Sequence, residues 1–113
     1  MSNPVFDKQG SLQRVDNDWE LLGELVSLFY EEYTSQIREL KEALAQKDGR
    51  RFKLCAHTIK GAAGNIGAMQ VFEQAFALER LATSGEFEQV AKELPHFEAA
   101  IAEFRRIFDA AVR

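Results

Sequence analysis

The sequence predicts an all-α protein: an antiparallel four-helix bundle with a short additional N-terminal helix. Three observations carry that prediction. Apolar residues recur at alternating steps of three and four along most of the chain, as one buried face of a helix requires. Breakers are few, two Pro and seven Gly, and the Gly cluster. No alternating strand pattern is present.

Residues 1–6 read as a loose start, and the bundle domain is expected over residues 5–111. Asp7 is placed to cap a short helix running to about Val15, weakened by Gly10. Asn17 to Glu20 reads Asn-x-x-Glu, close to a capping box. Behind it Leu22, Val26, Phe29, Tyr33, Ile37, Leu40 and Leu44 mark one face of a long helix, which Asp48-Gly49 should end in a tight turn. A second long helix is expected from about Arg50 to Asn65 or Ile66, interrupted by Gly67. The third runs from about Met69 to Thr83, with Phe72, Ala75, Leu78 and Ala82 inward, and Ser84-Gly85 closes it. The last spans about Phe87 to Ala111 on a stripe of Val90, Leu94, Phe97, Ile101, Phe104 and Phe108. Pro95 interrupts that stripe without shifting its phase, which favours a kink over a split. Four such helices on short connections make a bundle.

The bulk composition excludes several function classes. With 113 residues there is room for one domain. A net charge of −4 argues against general nucleic-acid binding, which needs a basic face. The single Cys55 cannot form an internal disulfide, which suits a reducing, cytoplasmic setting. The first ten residues lack a basic stretch followed by an apolar run. No apolar run approaches the ~18 residues of a membrane span.

The second long helix is the one that carries chemistry. At roughly 100° per residue, Phe52, Cys55, Ile59, Ala62, Ala63 and Ile66 fall on one side, the core face, with Ala56 at its margin. His57 falls opposite, together with Arg50, Lys53, Lys60, Gly61 and Gly64. A glycine inside a helix costs about 1 kcal/mol against alanine. Two of them beside one histidine suggest clearance for another surface, although close helix packing is the competing explanation. Neutral imidazole is a nucleophile near neutral pH and can hold a phosphoryl group as a phosphoramidate. The cations of Lys60, and with less force Lys53 and Arg50, would stabilise charge on that group. Nothing in the chain looks able to bind ATP, so the donor must be another protein.

The run His57-Thr58-Ile59-Lys60-Gly61-Ala62-Ala63-x-Asn65-Ile66-Gly67-Ala68 resembles the signature of histidine phosphotransfer (HPt) domains, the four-helix relays of bacterial multistep phosphorelays. The resemblance extends to Leu12, Val15, Asp18, Glu20, Leu21, Leu22 and Phe29 upstream and to Leu78-Glu79 downstream, and covers residues 5–110. It implies that His57 is phosphorylated, that Lys60 contacts the phosphoryl group, and that Gly61 gives a receiver domain room to dock. The partners it implies are receiver domains of response regulators and hybrid sensor kinases, in reversible exchange with an aspartate. Magnesium would belong to the receiver; this chain is expected to bind no cofactor and no metal and to act as a monomeric phosphocarrier rather than an enzyme. Beginning at Met1 with no kinase segment, the chain reads as a stand-alone relay or as a domain cut from a longer protein.

Other motifs are weaker. Gly61-Ala62-Ala63-Gly64 has the form of an RNA-binding GxxG loop, but that fold needs a sheet. No Gly-Lys-Ser/Thr closes a phosphate loop. Glu93 and His96 form a single Glu-x-x-His, where a metal bundle needs two. The rival from a different class is a helical adaptor or inhibitor that docks a receiver or kinase domain and carries no phosphate.

Overall fold

The computed structural model describes residues 3–112. Five helices follow in order: α1 (Lys8–Arg14), α2 (Trp19–Ala45), α3 (Gly49–Asn65), α4 (Met69–Thr83) and α5 (Phe87–Ala111). Among the described residues there is no strand, and no helix is long and apolar enough to cross a membrane.

Side-chain pairs fix the direction of each helix. Along α3, Arg51 and Cys55 meet Glu39 and Gln36 of α2, and Ala62 shares a groove with Leu28, in descending order, so α2 and α3 are antiparallel. Lys60 and Gly64 meet Phe76 and Phe72 of α4, again with one number rising as the other falls. Trp19 and Tyr33 of α2 lie against Phe108 and Phe97 of α5. Tyr30 reinforces that seam by donating its hydroxyl to the Ile101 carbonyl at 2.7 Å. The bundle is therefore up-down-up-down around one core. Phe52, Phe97 and Phe104 are fully buried at its centre, each contributing up to ~3 kcal/mol relative to exposure.

Three of the five helix starts follow one device, and α4 and α5 begin without a side-chain cap. Asp7, Asp18 and Asp48 each cap a helix, their carboxylates accepting from Gly10, Leu21 and Arg51 N–H groups. Two of these differ from the sequence expectation. Asp18, not Asn17, caps α2; Asp16 and Asn17 take left-handed φ of 53° and 61° to reverse the chain after α1, a conformation that short polar side chains tolerate. Asp48-Gly49 does not end α2 but begins α3. The left-handed turn falls on Lys47, at φ 53°. Gly49 serves closeness instead, since a Cβ there would lie 3.2 Å from the Ala82 carbonyl oxygen.

At Pro95 the single helix α5 runs on unbroken, and all six stripe residues from Val90 to Phe108 are buried. The pyrrolidine removes one backbone donor without breaking the phase of the face. The expected loose start is also tied down from Asn3 onward, while Met1 and Ser2 lie outside the described residues, as does Arg113. Asn3 donates to Glu73 and accepts from Gln70, both on α4. Phe6 packs edge-on against Phe104 and Phe108.

The Asp7 N–H donates to the Gly67 carbonyl at 2.8 Å, which pins the α3–α4 turn. Gly67 has φ +77°, and a Cβ there would sit 2.7 Å from the Asp7 carbonyl oxygen. Gly85 has φ +73° with open space around it. Gly67→Ala should therefore cost about 1–3 kcal/mol from backbone strain, with the clash in addition, and Gly85→Ala should fall at the low end of that range. Urea unfolding of the two variants checks the order; equal losses would contradict the contact at Asp7.

Candidate functional site

α3 presents its faces as its periodicity requires. Phe52, Ala56, Ile59, Ala63 and Ile66 are buried, and Cys55 and Ala62 are half-buried against α2. Burial pushes the Cys55 thiol up to about 11, which keeps it protonated and unreactive. His57 points to solvent, with 65% of its side chain exposed. Arg50, Lys53 and Gly61 share that exposed face.

The two glycines beside His57 are not equivalent. Nothing lies within 4 Å of the Cβ position of Gly61. At Gly64 the Cβ position lies 3.4 Å from the Phe72 ring, an ordinary van der Waals separation, so this position faces α4 where Gly61 faces open space. Its carbonyl also accepts from the Arg14 guanidinium at 2.7 Å.

Lys60 is not the solvated cation that its position off the core face suggests. Only 16% of its side chain is exposed. Its ammonium lies 4.8 Å from the centre of the Phe76 ring, a cation–π contact, with the Arg80 guanidinium 5.9 Å from the same ring. It also sits 3.0 Å from Oε2 of Glu79. The other oxygen of that carboxylate, Oε1, lies 3.3 Å from Nδ1 of His57. One carboxylate from α4 thus spans two residues of α3.

Glu79 is mostly buried. Burial by itself pushes its carboxyl up, but the Lys60 ammonium and the His57 contact outweigh that and leave it below the usual carboxylate range. Glu79 is therefore ionised at neutral pH and can only accept. It follows that the proton of neutral His57 belongs on Nδ1. The lone pair is then on Nε2, the nitrogen directed away from Glu79, and no hydrogen bond engages it among the described residues.

Large apolar side chains are exposed on three helices: Leu54 on α3, Leu28 on α2 and Phe76 on α4. Beyond Leu28 a groove of about 440 Å³ opens between α1, α2 and α3, floored by Val15, Leu25 and Ile66 and edged by Arg14 and Glu32. His96, the other histidine, is exposed and lies 3.3 Å from Glu93 on its own helix.

From periodicity alone Glu79 had no visible role. It appeared only as part of the family resemblance, and Phe76 and Arg80 not at all. The single available signal was the spacing of Phe76, Glu79 and Thr83, which share one flank of α4 just off its buried stripe.

A family model described as "Hpt domain" matches residues 24–107, from within α2 to near the end of α5. Among solved structures, the chain is similar to histidine-containing phosphotransfer protein B (HptB) from Pseudomonas aeruginosa PAO1. That likeness has 29% identity and a TM-score of 0.76, over 97% of this chain and 96% of that one. No curated protein matches the sequence.

Two outcomes follow from the geometry. Gly61→Ala should leave the fold intact and stabilise it by up to ~1 kcal/mol, because alanine favours the helix and meets no neighbour; a loss of stability in chemical denaturation would show an unseen constraint. The folded carboxyl of Glu79 is depressed, so its stabilisation is complete above the ordinary carboxylate range and is lost as pH falls through its folded value. The stability gap between the native protein and Glu79→Gln should accordingly close in acid, as followed by unfolding at stepped pH.

Proposed function

The chain belongs to the Hpt domain family, and from that premise we propose that it carries the phosphoryl group of a phosphorelay on Nε2 of His57. The observation that carries this is the exposed imidazole whose Nδ1 is turned toward an ionised carboxylate. The contact orients the ring and holds the proton away from the nitrogen that must attack.

In the step itself the Nε2 lone pair attacks the phosphorus of a receiver's aspartyl phosphate. The N–P bond forms as the P–O bond breaks, and the aspartate leaves as a carboxylate. The return reaction delivers the group to another receiver aspartate. Lys60 is one turn from His57 and within reach of a phosphoryl group on the ring. Its ammonium offsets charge on the transferring oxygens. Arg50 and Lys53 add positive charge on the exposed face. Gly61 lets the receiver surface come close, while the exposed Leu28, Leu54 and Phe76 offer it apolar contact.

This reading makes the chain a cytoplasmic, monomeric carrier that takes phosphate from receiver domains of response regulators and hybrid sensor kinases. It needs neither ATP nor a cofactor of its own. Magnesium chemistry belongs to the receiver.

Incubation with a phosphorylated receiver domain should place an acid-labile, base-stable label on the native chain and none on His57→Gln. Equal labelling of both would sink the assignment, and tight receiver binding without label would favour an adaptor. Lys60→Ala should slow transfer by roughly tenfold or more while the bundle stays folded; an unchanged rate would remove its electrostatic role.

A further inference from the structure

The carboxylate of Glu79 is divided between two groups with different tasks. Oε1 faces His57 Nδ1 at 3.3 Å, and Oε2 faces the Lys60 ammonium at 3.0 Å. The second contact is short but poorly aligned: Oε2 is buried and has no hydrogen bond of acceptable geometry. Lys60 is therefore held there by charge and by the Phe76 ring beneath it rather than by a well-made hydrogen bond. We infer that Glu79 sets how strongly His57 retains its phosphoryl group, by competing with that group for Lys60. The inference rests on the reading of His57 as the carrier and adds a positioning residue to it.

A phosphoryl group on Nε2 brings two negative charges or nearly so, with three strong acceptor oxygens. Lys60 is a single ammonium on a flexible stem, one turn from His57, and it already faces the buried carboxylate at 3.0 Å. Movement toward the phosphoryl oxygens leaves Oε2 buried without its cation, and that costs free energy. The two effects oppose each other. Phosphohistidine gains less from Lys60 than it would beside a neutral neighbour, and the group stays easy to pass on. When it leaves, the N–P bond breaks, its electron pair returns to Nε2, a P–O bond forms on the accepting aspartate, and Lys60 returns to Glu79. No further reactant is needed.

Glu79→Gln separates the two tasks. An amide oxygen still accepts from Nδ1–H, while the charge that holds Lys60 is gone. The test equilibrates the full chain with a receiver domain that labels the native protein, using radiolabelled phosphoryl groups and correcting for hydrolysis. The ratio of phosphohistidine to phosphoaspartate is then measured. Glu79→Gln should shift that ratio toward His57 by roughly threefold to tenfold. In a Lys60→Ala background the same substitution should move it by less than about twofold, as a coupled pair requires. An unchanged ratio in the first comparison overturns the inference, and so does an equal shift in the second, which would show that Glu79 acts on the phosphoryl group directly.

Partial misfolding lowers the concentration of competent chain and moves the ratio toward the receiver, so the ratio is normalised to the fraction of each variant that an excess of phosphorylated receiver can label. If Glu79→Gln does not fold, Glu79→Asp draws the charge back by one methylene and should shift the ratio the same way by a smaller factor; no shift there counts against the inference. Failure of the two readings looks different. Label that persists on His57→Gln removes the carrier assignment and this inference with it, whereas His57-dependent label with an unmoved ratio removes only the role of Glu79.

Discussion

The surroundings of His57 depend on how closely α3 and α4 lie together. Ala56 and Ala63 on α3 and Ala75 and Ala82 on α4 are buried. Gly64 receives the Phe72 ring, and Gly49 admits the Ala82 carbonyl. Small residues at both ends of the seam let the backbones approach, as they do wherever a Cβ would hold helices apart. The turn through Gly67 sets their register, and the Asp7–Gly67 hydrogen bond fastens it to the N-terminal segment. With the register set, Glu79 stands opposite both His57 and Lys60. A larger residue at Gly49 would press on the Ala82 carbonyl and so on the spacing of the seam that carries Glu79.

The electrostatics are local rather than global. The chain carries a net charge of −4, yet Arg50, Lys53 and Lys60 lie on the His57 side of α3, and Arg80 on α4 shares the Phe76 ring with Lys60. Elsewhere cations are spent on structure. Arg51 grips Glu39 through two hydrogen bonds of 2.7 Å and ties α3 to α2, holding the Glu39 carboxyl below its usual range. Lys60 differs from these in sharing its carboxylate with the histidine. A positive surround that includes one ionised acceptor can orient an imidazole and still favour an incoming phosphoryl group.

Much of the fold was legible in the sequence because apolar phase dominates in long helices. α4 and α5 lie where their stripes place them, and Pro95 left the α5 face in register. The ends of α2 were harder to read. Asp18 and Asp48 each stand beside another plausible cap or breaker, and backbone dihedrals at Asn17 and Lys47 chose between them. The site was legible in part for the same reason. One helical wheel places His57 away from the core with Lys60 and Gly61. It cannot tell that Lys60 is covered, or that Gly64 faces a ring on the next helix.

By itself the sequence determined the all-helical class, the exposed histidine, the nearby cations and the open glycine at position 61. These depend on the spacing of residues within one helix, and a period of 3.6 is a local property of the chain. Only the tertiary structure decided that Glu79 spans His57 and Lys60, that Phe76 lies under the ammonium, and that Gly64 faces the Phe72 ring. Each of those joins α3 to α4 across a turn. Their relative height and separation come from the small residues of the seam and the left-handed Gly67, which no single-helix pattern contains.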